Sequence, residues 1–292
     1  MNKSDMQYLP LVIIGAPRSG TNMLRDILCR MDGVATWPCD EINYIWRHGN
    51  LRHPSDEFPA DLATSFVRGY IRSKFDWVAR TRSAGVVVEK TCANSLRVPF
   101  VDRVLPEAKY IYIYRDGIDA TGSARLRWTA EMDVPYLLQK LRFVPPTDIP
   151  YYGVRYLGSR IHRVFSKENR LAFWGPATKD MDELVSQFSL NEICALQWQR
   201  CNELAERAFE GIREDRVVRL RYEDIVTDPA RQLTRILNFL GMVAEPEVVA
   251  KAVSDVSASS LGKGRSAFSS DEVAHLENLV GGTLSKLGYL NN

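Results

Sequence analysis

Arg18, Ser19, Gly20, Thr21 and Asn22 close the segment Leu11 to Asn22, LVIIGAPRSGTN, where an apolar run gives way to a glycine-bounded turn. A strand that turns at glycine and opens a helix aims the first-turn N–H groups at an anion, and Gly20 permits close backbone approach. Gly15 and Gly20 have the spacing of a nucleoside-triphosphate loop, but Thr21-Asn22 stands where Lys-Ser/Thr is needed. The lysine that would reach a γ-phosphate and the hydroxyl that would hold Mg²⁺ are both missing, and Arg18 lies inside the loop instead. These residues suit one phosphate-like group and require no metal. A purely structural strand–turn–helix is the alternative.

A second cation follows a second apolar run. Lys109 to Tyr114 leads into Arg115-Asp116-Gly117, and Ser123 comes eight residues after Arg115. A cation leaving the carboxyl end of a parallel strand lies in the crevice where open α/β sheets bind ligands. A hydroxyl two turns into the next helix can face the same anion. Arg115-Asp116 read alone is equally an ordinary strand-end ion pair.

Placing these residues requires alternating strands and helices. Leu9–Ile14, Val86–Glu89, Lys109–Tyr114 and Val217–Leu220 are short apolar runs of the kind that form buried parallel strands. Helices are expected from about Thr21 to Met31, over Ser95–Val104, Gly117–Arg127 and Leu190–Glu210, and from Asp228-Pro229 through Leu240 with Gly241 just beyond. The pattern is an α/β fold, a central mostly parallel sheet with helices on both faces, P-loop nucleoside triphosphate hydrolase-like, in one domain spanning 1–292. Thr129 to Lys179 departs from it, with five prolines and eight aromatics, and reads as a lid or acceptor-binding insertion or as a helical subdomain.

The 292 residues are 45% hydrophobic and 25% charged, with 38 Lys plus Arg against 36 Asp plus Glu. So even a balance advertises neither nucleic acid nor a membrane as partner, and any anion site must come from local placement. The apolar run at Leu9 to Ala16 is too short to span a bilayer or serve as a signal segment. Five cysteines without metal-ligand spacing suit reduced thiols in a cytoplasmic protein.

Arg18-Ser19-Gly20-Thr21 resembles the 5′-phosphosulfate loop of the sulfotransferase family, nearer the carbohydrate and tyrosylprotein branches, where Arg replaces the Lys of the cytosolic aryl branch. The Arg115 and Ser123 pair resembles that family's 3′-phosphate site. Leu220-Arg221-Tyr222-Glu223-Asp224 is similar to its Tyr-Glu-Asp segment, which puts Tyr222 near the adenine. Gly262-Lys263-Gly264-Arg265 resembles the glycine-flanked basic loop over the 3′-phosphate, with either Lys263 or Arg265 as the contact. The resemblance implies a sulfuryl group moved from 3′-phosphoadenosine 5′-phosphosulfate (PAPS) to a hydroxyl or amine, leaving adenosine 3′,5′-bisphosphate (PAP) and needing no metal.

Within that resemblance Glu41, 23 residues past Arg18, is the candidate base, with Asp40, His48 and His53 as rivals. No histidine occurs between His53 and His162, where the cytosolic branch has its base, so a carboxylate is favoured. Lys90, after Val86–Glu89, matches the branch's catalytic lysine and would share charge stabilisation with Arg18. The expected acceptor is a small molecule or carbohydrate, and a homodimer stays open. A small-molecule kinase using ATP and a non-catalytic nucleotide-binding module are the competing classes. Arg127, Arg142 and Arg155 near the aromatics would suit a cyclic or acidic acceptor.

Overall fold

The computed structural model describes residues 8–128, 142–154 and 174–290. Strands β1 (Leu9–Ile14), β2 (Val34–Ala35), β3 (Val86–Lys90), β4 (Lys109–Tyr114) and β5 (Val217–Arg221) form one parallel sheet in the order β2-β3-β1-β4-β5. This is the expected α/β architecture. β1 and β4 begin and end where the apolar runs do, β3 and β5 are each one residue longer, and β2 is too short to leave a period in the sequence.

Alternation along β1 explains why the sheet needs cover on both sides. Leu11 and Ile13 face one way and Val12 and Ile14 the other, and all four are fully buried. The Leu11 face is covered by α1 (Thr21–Leu28), α8 (Tyr222–Thr227), α9 (Pro229–Leu240) and α10 (Pro246–Ala252). The Val12 face is covered by α2 (Asn43–Arg47), α3 (Ser65–Arg82), α4 (Val98–Val104) and the end of α7 (Leu190–Phe209). α5 (Gly117–Trp128) packs against α7 and α11 (Ser270–Lys286) in a further cluster around Ile118, Trp198 and Val280. α6 (Met181–Gln187) leads into α7, whose Ser189–Glu192 capping box fixes its start.

Two helix boundaries differ from those expected by more than one residue. α1 stops at Leu28 rather than Met31, because Arg30 and Met31 donate to residues three back and tighten the last turn. The helix expected from Ser95 starts at Val98 after a 3₁₀ turn over Cys92–Leu96, with Pro99 in the first helical turn where its missing N–H costs nothing. α9 obeys its signals, with Asp228 accepting from the Arg231 N–H and Gly241 at the end. Of the Thr129–Lys179 insertion, 129–141 and 155–173, including Arg155, lie outside the described residues. No described helix is long and apolar enough to cross a membrane.

The strand order positions the site. The chain leaves β1 toward the β3–β2 side and leaves β4 toward β5, so the carboxyl ends of neighbouring β1 and β4 form a topological switch point. Ligands of open α/β sheets bind in that crevice. The loop carrying Arg18 and the turn carrying Arg115 both open onto it.

Candidate active site

The loop after β1 is bent at two left-handed residues, Arg18 (φ 70°) and Gly20 (φ 87°). Gly20 is the N-cap of α1 and offers no side-chain cap, which leaves the first-turn amides to an incoming anion. A Cβ on Gly20 would collide with the Tyr222 ring, so the loop and the start of α8 close on each other only with glycine there. Left-handed Arg18 stores strain of about 1 kcal/mol. Its Nε donates to Ser123 Oγ at 2.9 Å. Burial first, then Arg127 and Arg115, holds its pKa below the ordinary guanidinium value. Crowded cations of this kind favour an anion among them.

Ser19 is fully enclosed and is absent from the cavity wall, whereas Thr21 and Asn22 line it. The Thr21 hydroxyl sits 3.8 Å from Cys92 Sγ.

After β4, Arg115 is gripped on every side. Its Nε and Nη2 donate to Asp119 Oδ2 at 3.0 and 2.5 Å, Nη2 to the Ser260 carbonyl at 3.0 Å, and Nη1 to the Arg18 carbonyl at 3.0 Å. Its guanidinium also lies 4.4 Å from the Tyr222 ring centroid, and the Tyr222 hydroxyl meets Ser260 Oγ at 2.5 Å. Arg115 is thus paired with Asp119, one helical turn on, while Asp116 caps α5 by accepting from the Asp119 N–H.

Asp119 is not among the residues the sequence singles out, yet it organises the second half of the site. Its carboxylate also accepts the Gly262, Gly264 and Arg265 N–H groups at 3.3, 2.6 and 3.2 Å. The 262–265 loop is therefore pinned across α5. It comes so close that Gly122 has no room for a Cβ against the Gly264 backbone. Lys263 and Gly264 line the cavity. The Arg265 guanidinium points elsewhere, to Asp116 at 3.2 Å and Glu277 at 2.7 Å. An aspartate four residues after an arginine reads as an ordinary helix ion pair, so nothing local announces these three extra donors.

Glu41 and Lys90, 49 residues apart, meet. Lys90 Nζ donates to Glu41 Oε1 at 2.9 Å, and the Cys92 N–H donates to the same oxygen at 3.3 Å. Burial works against charge on Lys90, but Glu41 outweighs it and the ammonium pKa is raised. Asp40, the rival acid, lies 3.3 Å from Arg25. His48 pairs with Asp148 at 2.8 Å and His53 bonds the Ser55 carbonyl. Neither histidine is on the cavity wall, whereas both acids are. Behind Lys90 lies Glu89, fully buried, whose pKa burial pushes up to about 7 despite hydrogen bonds from Thr91 and Asn94.

These groups converge on one cavity of about 730 Å³, within the usual range for small-molecule sites. Its wall carries Arg18, Lys90, Arg115, Arg125, Arg127 and Lys263 against Asp40 and Glu41, with Trp174, Gly175 and Pro176 closing another side. No described group of His, Cys, Asp or Glu side chains could hold a metal ion.

An open parallel sheet with two cationic strand ends at its switch point is an α/β arrangement suited to a ligand with two anionic groups. The chain matches the family model described as "Sulfotransferase family" over residues 10–156 and 159–246, and it belongs to that family. Among curated proteins, none matches it. Its structure is similar to a sulfotransferase domain from the curacin biosynthetic pathway, with TM-score 0.54, 14% identity, and 98% of this chain and 100% of that one covered. A sulfotransferase domain from the Synechococcus PCC 7002 olefin synthase gives TM-score 0.54, 18% identity, and 100% and 99% coverage. A sulfotransferase from Mycobacterium avium gives 0.54, 14%, and 97% and 78%. At these identities the neighbours establish the fold; the family match establishes a sulfotransferase.

The buried acids set two expectations for stability. Asp119→Ala strands the buried Arg115 charge and three amides, and should lower unfolding free energy by about 3 kcal/mol. An unchanged urea midpoint would mean the 262–265 loop is held by something else.

Glu89 makes stability depend on pH. Its folded pKa, about 7, lies above the ordinary 4.5, so folded protein binds that proton more tightly than unfolded chain. Its contribution is greatest below pH 4.5, falls as pH rises, and is lost above about 7. Relative to Glu89→Gln, wild type should therefore lose roughly 3 kcal/mol across that window. A difference that stays flat in denaturation curves from about pH 4.5 to 7.5 would contradict a titrating Glu89.

Proposed function

We propose that this sulfotransferase transfers a sulfuryl group from PAPS to a hydroxyl or amine of a small-molecule or carbohydrate acceptor, with Glu41 as general base and Lys90 and Arg18 as charge stabilisers. The observation that carries the reading is the Lys90–Glu41 contact on the wall of a cavity whose two strand ends both bear cations. The first-turn amides from Gly20 to Asn22, with Arg18, Ser19 as part of the loop, and Thr21, would hold the 5′-phosphosulfate. Arg115, Ser123, Lys263 and the Gly264 loop would hold the 3′-phosphate, and Tyr222 would lie near the adenine. Arg265 serves that loop through its backbone, since its guanidinium is engaged with Asp116 and Glu277.

The reaction is an in-line displacement in which positioning and charge stabilisation supply most of the catalysis. The acceptor oxygen forms a bond to sulfur as the bond from sulfur to the bridging phosphate oxygen breaks, and that electron pair stays on PAP. Glu41 receives the acceptor proton. Lys90 and Arg18 face the oxygens on which negative charge develops. Glu41 and Lys90 are hydrogen-bonded to one another at the cavity wall. An anion drawn to Lys90 competes for that ammonium and turns a Glu41 oxygen toward the acceptor.

The acceptor would enter beside Trp174–Pro176, within the proposed 129–179 insertion. The balanced charge fits a cytoplasmic enzyme that engages neither nucleic acid nor membrane. A kinase reading lacks the lysine and hydroxyl that ATP and Mg²⁺ need. A non-catalytic binder would have no use for a buried lysine paired with a carboxylate at the cavity wall.

Glu41→Gln and Lys90→Ala should each cut sulfate transfer from PAPS by roughly 10²-fold or more while PAP affinity stays nearly intact. Turnover near wild type in Glu41→Gln would remove it from the mechanism. Arg115→Ala should instead weaken PAP binding by at least tenfold in calorimetry, and unchanged affinity would refute that assignment. PAP, rather than ATP with Mg²⁺, should raise the melting temperature; the reverse would favour the kinase.

A further inference from the structure

Glu89 and Lys90 are consecutive on β3, so their side chains leave opposite faces of the sheet. Lys90 enters the cavity, whereas Glu89 points into the Val12 face and has no exposed surface. A carboxylate in such a place is costly unless its hydrogen bonds do something an apolar side chain cannot.

Those bonds run toward Glu41. Thr91 Oγ1 donates to Glu89 Oε1 at 2.5 Å and accepts the Ile42 N–H at 3.2 Å, directly after Glu41. On the other carboxylate oxygen, Asn94 Nδ2 donates at 2.8 Å. Asn94 Oδ1 then accepts from Arg97 Nε at 2.8 Å, and Arg97 Nη2 donates to Asn43 Oδ1 at 2.5 Å. Two consecutive residues after Glu41 are thus held from beneath, one by its backbone and one by its side chain. Both chains of bonds end on Glu89. Arg97 is itself fully buried and is balanced by Asp56, which also pairs with Arg47 and accepts the Ala177 N–H.

The direction of each bond matters. Above its pKa of about 7 the ionised carboxylate only accepts, so it obliges the Thr91 hydroxyl to donate and leaves that oxygen's lone pairs to the Ile42 amide. Likewise Asn94 must present its NH₂ to Glu89 and its carbonyl to Arg97. A glutamine at 89 would put a donor against one of these donors and reverse one chain.

We propose that Glu89 is a positioning residue for sulfuryl transfer, setting the Glu41 carboxylate against the Lys90 ammonium through Thr91, Asn94 and Arg97. The proposal rests on Glu41 acting as the base and Lys90 as its charge-stabilising partner. Glu89 touches neither donor nor acceptor. Its loss should therefore act on turnover and leave ground-state nucleotide binding alone.

The test compares Glu89→Gln, Thr91→Val, Thr91→Ser and Glu41→Gln in PAPS-dependent turnover, in PAP affinity by calorimetry, and in thermal melting. Assayed above pH 7, where Glu89 is ionised, Glu89→Gln should lower kcat by at least tenfold, with PAP affinity within about twofold of wild type and cooperative melting retained. Thr91→Val, which keeps shape but lacks the hydroxyl, should reproduce that loss, and Thr91→Ser should recover most of it. Wild-type kcat in Glu89→Gln or in Thr91→Val overturns the proposal. So does a kcat loss accompanied by an equal loss of PAP affinity and melting, which is what a merely structural residue would give. Should Glu89→Gln fail to fold, the Thr91 pair decides alone. Full turnover in Glu41→Gln would sink the base assignment and this proposal together; an inactive Glu41→Gln beside a fully active Glu89→Gln would sink this proposal only.

Discussion

The buried carboxylate of Asp119 is the interaction on which the Arg115 side of the cavity depends. It neutralises Arg115 and collects three backbone amides from a loop more than 140 residues further along the chain. Without it, Arg115 would be a buried charge facing Arg18, and the 262–265 loop would have no seat on α5. Charge-assisted bonds to several donors at once are strong because the geometry is fixed before any ligand arrives. Arg115 in turn donates to the Arg18 carbonyl, so the same carboxylate steadies the loop after β1 at one remove. One aspartate ties both strand ends to the loop that faces them.

This arrangement explains why small residues stand where they do. Gly20 lets Tyr222 lie on the loop, and Gly122 lets the Gly264 backbone lie on α5. Each contact brings backbone or ring to a distance that any side chain would forbid. Tyr222 then stacks on the Arg115 guanidinium, adding a cation–π contact to a group already held by hydrogen bonds. The segments that come together to make a cavity are therefore joined by close packing as well as by charge.

Much of this is legible in the residues themselves. The strands are short apolar runs, and the cations fall at their ends or within four residues of them, so Arg18, Lys90 and Arg115 mark strand ends without knowledge of the fold. Partners distant in sequence are what the residues do not disclose. Asp119 looks like an i,i+4 helix pair, and Glu89 looks like the polar end of a strand. Ser65–Arg82 is a long helix whose buried residues, Val67, Ile71, Phe75 and Val78, do have helical spacing, yet no chemistry-bearing residue draws attention to it. β2, at two residues, exists only because Gly33 accepts from Gly85 and Val86 and draws the chain alongside β3. The role of Arg265 is likewise ambiguous in the sequence, since only its position across from Asp116 and Glu277 decides where its guanidinium goes.

The two halves of the cavity solve the problem of holding cations in opposite ways. Arg115 is paired with Asp119, a buried acid absent from the cavity wall, so its guanidinium is held in place before any ligand arrives. Lys90 is neutralised by Glu41, which is itself on the cavity wall and partly exposed. That pair can open without exposing a buried charge, because an incoming anion replaces the carboxylate at the ammonium. A site for binding benefits from the first arrangement, since nothing need reorganise. A site for proton and sulfuryl transfer benefits from the second, because on the proposed mechanism the group released when the anion arrives is the one that accepts the proton. On the proposed mechanism, the difference in burial between Asp119 and Glu41 separates the part of the cavity that holds from the part that reacts.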